Sequence, residues 1–115
     1  MLTLKDKIGK TIAYLYNNLI IDLHQNVVRG ILLGDCVFNV DGKIVGKLVN
    51  NYFYNLNGEI TAQKLIISGQ ESIKNIAEFY RQAWSIASKV KNHLAPWIEC
   101  TLNWSKVGLQ EILHD

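Results

Sequence analysis

From Leu4 to Leu65 the chain alternates apolar and polar positions in short runs, and each run ends on a residue suited to turns. "FNVDGKIVGKLVNN" (38–51) and "YNLNGEITAQKL" (54–65) read as two copies of one hairpin. "IDLHQNVVRGILLGD" (21–35) fits the same template with one extra turn residue. "LKDKIGKTIAYLYNN" (4–18) matches it in its second arm. In each second arm one position is small, at Ala13, Gly30, Gly46 and Ala62, at spacings of seventeen, sixteen and sixteen residues. Four β-hairpins are therefore expected. The pairs Asp41-Gly42 and Asn57-Gly58 predict two-residue hairpin loops with positive φ at both positions, while His24-Gln25-Asn26 predicts a longer loop. Gly9 is the candidate turn residue of the first copy. Asn17-Asn18, Gly34-Asp35 and Asn50-Asn51 predict the junctions of a continuous meander.

An isolated hairpin is marginal in water, so four short ones must bury their apolar faces together. Equal repeats predict a ring with pseudo-fourfold symmetry, whose closure removes open strand edges. The recurring Ala or Gly then permits close backbone approach near the axis; the plainer reading is a small residue tolerated in a strand. Asp22, Asn39 and Asn55 share one template position. They form either a polar ring able to hold a cation, water or a small ligand, or the outward positions that period-two alternation requires.

These repeats resemble the four-fold β-flower family, a small bacterial domain of four hairpins around a pseudo-fourfold axis. The resemblance covers residues 1 to about 67 and implies no catalytic or cofactor-binding residues. A PRC-barrel-like interaction domain, whose units carry a phrase similar to "DGKIVGK", is the alternative resemblance.

After Leu65 the period becomes 3.6. In "ISGQESIKNIAEFYRQAWSIASKVKNHL" (67–94), Ser68 and Glu71 stand at capping-box spacing. Ile73, Ile76, Ala77, Tyr80, Ala83, Trp84, Ala87 and Val90 follow at helical intervals, predicting an amphipathic helix from about 70 to 93. Phe79 and Ile86 widen its apolar arc. A second helix is expected from Pro96 onward, weakened by Gly108. The expected division is a hairpin domain over 1–67 and a helical extension over 68–115, an α+β chain.

At 115 residues, 49% hydrophobic and 19% charged, the chain is long enough for one core without staples. The net charge of +2 is too small for a nucleic-acid footprint, and the excess lies before Gly69. No signal-like or membrane-spanning segment is evident, so a cytoplasmic protein is expected, with Cys36 and Cys100 as free thiols. His24, His93 and His114 lack metal-ligand spacing. No enzyme activity, cofactor or metal is therefore expected. The expected function is a binding or assembly module, a homo-oligomer or a receptor for a protein partner through its C-terminal helices, with Phe79, Tyr80, Trp84 and Ile86 at the interface. The alternative is a small-ligand sensor using the polar ring.

Overall fold

A computed structural model describes residues 2–24, 27–66, 76–91 and 95–114. The expected capping box at Ser68 and Glu71, the loop at Gln25-Asn26, and Ile73 and His93 lie outside the described residues. Eight strands follow one another: β1 (Leu2–Lys5), β2 (Thr11–Tyr16), β3 (Leu19–Asp22), β4 (Val28–Leu33), β5 (Cys36–Asn39), β6 (Ile44–Val49), β7 (Tyr52–Asn55) and β8 (Ile60–Ile66). Each pairs antiparallel with the next, and β8 returns to β1 through Leu2↔Ile66 to Lys5↔Gln63, closing the sheet. Helix α1 spans Ile76–Ala87 and α2 spans Leu109–His114.

The pairing within the hairpins recurs. A bulge interrupts β1/β2 at Leu4/Lys5, β3/β4 at Ile20/Ile21, β5/β6 at Val37/Phe38 and β7/β8 at Phe53/Tyr54. Just past each bulge the pairs Lys5↔Thr11, Ile21↔Val28, Phe38↔Ile44 and Tyr54↔Ile60 re-form. A bulge adds local twist and bends the bulged strand.

The tips differ from the two-residue loops expected at Asp41-Gly42 and Asn57-Gly58. Only the glycines adopt positive φ, 78° at Gly42 and 80° at Gly58, and Gly9 joins them at 84°. Each loop has three residues, closed by a hydrogen bond from the glycine N–H to a backbone carbonyl, Gly9 to Asp6, Gly42 to Asn39 and Gly58 to Asn55. The paired left-handed residues occur instead at the Asn17-Asn18 junction, with φ of 45° and 68°.

The small positions are crowded. A Cβ on Gly30 would lie 2.6 Å from the Phe38 carbonyl oxygen, and one on Gly46 2.0 Å from that of Tyr54, so the adjoining strand excludes a side chain there. Gly30 faces Asn39, Gly46 faces Asn55 and Ala13 faces Asp22 across neighbouring hairpins.

Two apolar clusters hold the helices to the sheet. Leu109 and Leu113 of α2 pack with Leu4, Ala13, Leu15, Ile20, Val37 and Phe53. Phe79 and Ile86 of α1 pack with Leu19, Ile21, Val28, Ile31, Cys36 and Phe38. A buried aromatic such as Phe79 contributes roughly 2–3 kcal/mol by area alone. Within its described span α1 stops at Ala87, short of the expected 93, as the amides of Lys89 and Val90 turn to i−3 carbonyls. The helix expected from Pro96 is absent through Gly108; only Leu109–His114 is helical. Residues 101–105 spend their backbone bonds on the fourth hairpin instead.

Candidate functional site

The Asx position at the end of each first arm is the local organiser of its turn. Asn39 Oδ1 accepts the amides of Asp41 and Lys43, both at 3.0 Å, and Asn55 Oδ1 accepts those of Asn57 and Glu59 at 3.0 and 2.9 Å. Asp22 Oδ1 accepts the Val27 amide at 3.1 Å. Asp6, absent from the sequence reading, plays the same part for Ile8 and Lys10 at 3.1 and 2.8 Å. An Asx side chain satisfies amides that the bulged loop leaves without a ladder partner. Of the three expected ring residues, Asp22 lines one depression, Asn55 lines another, and Asn39 is fully buried. A signal was present: Asp6 stands three residues before Gly9, as Asn39 does before Gly42 and Asn55 before Gly58.

Segments after the sheet cover these tips unequally. At the fourth hairpin the Gly58 carbonyl accepts the Thr101 amide at 3.0 Å and the Thr101 hydroxyl at 2.9 Å. Ile60 then donates its amide to Asn103 O at 2.7 Å and accepts the Ser105 amide at 2.8 Å, making a short parallel bridge with Trp104. Asn55 Nδ2 donates to Ser105 Oγ at 3.3 Å. At the third hairpin Gly42 lies under the backbone of Lys89, and Lys89 Nζ donates to Val40 O at 3.4 Å. At the second, the Val28 amide donates to Gln82 Oε1 at 2.8 Å.

Gln82 is itself oriented by Glu78, whose carboxylate also takes both ends of the Arg81 guanidinium. Those hydrogen bonds, from Arg81 first and Gln82 second, hold the Glu78 carboxyl at about 2.

The expected interface residues divide between two faces of α1. Phe79 and Ile86 are buried within the chain, which corrects their placement on an outer surface. Tyr80 and Trp84 face outward, with Trp84 76% exposed. Together with Asn17, Asn18, Ile31, Leu33, Ala83 and Ala87 they line an open groove of about 340 Å³.

Other candidate chemistry is muted. The Cys36 thiol is pushed up by burial and by the neighbouring Asp35 carboxylate, which opposes thiolate formation. Cys100 is a free, exposed thiol. His24 and His114 border the same depression as Asp22 and Arg29. Among the described residues no helix is long and apolar enough to cross a membrane.

Comparison with curated proteins and with solved structures yielded no match. The family described as "4-fold beta flower protein" matches residues 3–113, so its unit runs through the sheet and on to α2, past the residue 67 at which the resemblance was expected to end. The chain belongs to the 4-fold beta flower protein family.

Proposed function

We propose that the chain is a non-enzymatic binding and assembly module, a homo-oligomer whose self-association surface is the outward face of α1. The scaffold is read as four petals about a pseudo-fourfold axis. Four bulges, four Asx positions at 6, 22, 39 and 55, and four small positions at 13, 30, 46 and 62 support that reading. The observation that carries the functional reading is Trp84, 76% exposed beside Tyr80 and Leu33 on the rim of an apolar groove. An indole left in water on a folded surface is an energetic asset only when something covers it, and aromatic anchors dominate protein interfaces. Symmetric homo-oligomers are the commonest form of such coverage.

The ligand-sensor alternative draws less support. The side-chain oxygens of Asn39 and Asn55 already accept two turn amides each, so a ligand at a polar ring would compete with the loops themselves.

Light scattering after size-exclusion chromatography tests the assembly reading on the full chain and on Trp84→Glu combined with Leu33→Glu. The parent is expected to elute as a dimer or larger species, and the variant as a folded monomer. A monomeric parent at micromolar concentration overturns the reading.

A further inference from the structure

The four bulged edges are chemically equivalent but unequally served. Thr11, Val28, Ile44 and Ile60 occupy the same register position past their bulges. At Ile60 the outward amide and carbonyl are taken by Asn103 and Ser105, and at Val28 the amide is taken by Gln82. Thr11 and Ile44 have no such partner outside the sheet among the described residues. Of the two, only Thr11 stands beside a bare tip. A Cβ on Gly42 or Gly58 would strike Lys89 or Glu99, whereas one on Gly9 would meet nothing within 4 Å, and Ile8 is 79% exposed.

Two further features define what would fit. A depression of about 180 Å³ that begins at Ile12, the residue after Thr11, is floored by Ile12, Ala13, Ile20, Leu109 and Leu113 and bordered by Asp22, His24 and Arg29. It is large enough for one side chain of an incoming segment. The first hairpin is also the basic one. Residues 4–12 hold Lys5, Lys7 and Lys10 against Asp6, a surplus of two that equals the net charge of the whole chain. Lys7 and Lys10 are exposed and make no ion pair among the described residues.

We propose that the first hairpin is a docking edge for an extended acidic segment of another protein, which bridges Thr11 through its backbone as residues 103–105 bridge Ile60. The backbone bridge supplies direction and register, the depression takes one apolar side chain, and the lysines select acidic flanks. This surface is separate from the α1 groove, so it stands or falls independently of self-association.

The test is a titration of the full chain, followed by backbone amide NMR, with the probe peptide Glu-Glu-Thr-Leu-Asn-Trp-Ser-Glu-Glu, built on the segment that covers Ile60. Saturable shifts are expected at Ile8, Gly9, Thr11 and Ile12. Affinity should fall at least about tenfold in Lys7→Glu with Lys10→Glu, since like charges then face the flanks. It should fall similarly when the serine amide of the peptide is methylated, since that removes the bridge donor. Any of three results overturns the proposal: no saturable shift up to about 1 mM peptide, shifts centred on α1 or on Ile60, or unchanged affinity of the methylated peptide. Equal binding of single-stranded DNA at the same amides also overturns it, by reducing the edge to a patch of charge.

Discussion

At the tip of the fourth hairpin Gly58 is buried beneath Glu99 and tied twice to Thr101, whereas at the tip of the first Gly9 has open space around it. Both glycines have nearly the same φ, 80° and 84°, and both follow an Asx residue whose oxygen gathers two loop amides. The local chemistry is shared and the surroundings are not. The repeat therefore builds four similar edges, and the segments after β8 decide which of them are closed.

Substitution of the two glycines separates local from tertiary cost. Gly58→Ala should destabilise by about 3 kcal/mol or more, combining left-handed strain with a collision 1.9 Å from the Glu99 carbonyl oxygen. Gly9→Ala should cost only the backbone part, roughly 1–2 kcal/mol. Urea denaturation of both variants measures the difference; equal midpoints would mean that the 99–105 segment does not press on the fourth tip.

The Asx residues form the next pair. Asn39 is fully buried, so Asn39→Ala leaves a void as well as taking the acceptor from the Asp41 and Lys43 amides and should cost about 2–3 kcal/mol. Asp6→Ala leaves the amides of Ile8 and Lys10 near solvent, where water replaces the lost acceptor, and should cost about 1 kcal/mol. The same denaturation series reads both, and the reverse order would contradict the burial argument.

Thr101→Val removes both hydrogen bonds of the hydroxyl, its donation to the Gly58 carbonyl and its acceptance of the Asn103 amide, and keeps the side-chain shape, with an expected loss of about 1–2 kcal/mol. Amide exchange should locate the loosening at Ile60 and Ser105. Unchanged exchange there would show that the backbone bridge alone seats the segment.

The smallest effect belongs to the second hairpin, whose edge is served by a side chain. Glu78 titrates at about 2 in the folded chain and near 4.5 when unconstrained, so its contribution is present above 4.5 and lost as pH falls from there toward 2. The Glu78 carboxylate is open to solvent, so the effect is expected as a local shift of Gln82 and Val28 signals rather than global unfolding. A Glu78 midpoint near 4.5 by NMR would break the link.

Much of the sheet was legible because its determinants are local. Gly42 and Gly58, the junctions at 17–18, 34–35 and 50–51, and the small positions at 13, 30, 46 and 62 each carry their own conformational or steric signal. At the first turn Gly9 was legible and Asp6 was not, because Lys7-Ile8 replaces the Val40-Asp41 and Leu56-Asn57 that precede the other glycines. Asp22, Asn39 and Asn55 share one template position, but that position does not reveal that Asn39 and Asn55 turn their oxygens toward their own loops.

Sequence by itself determined a meander of short antiparallel strands with glycine turns and a helical period after it, since φ preferences and alternation act over a few residues. Which face of α1 lies inward was decided by tertiary structure: the regular stripe through Tyr80 and Trp84 looked dominant, yet Phe79 and Ile86 fit the pocket of Ile21, Val28 and Phe38. The fate of residues 95–108 was decided there too. Their helical pattern yields because unpaired edge groups at Gly58 and Ile60 lie within reach, and a backbone that satisfies those groups cannot also satisfy its own helix.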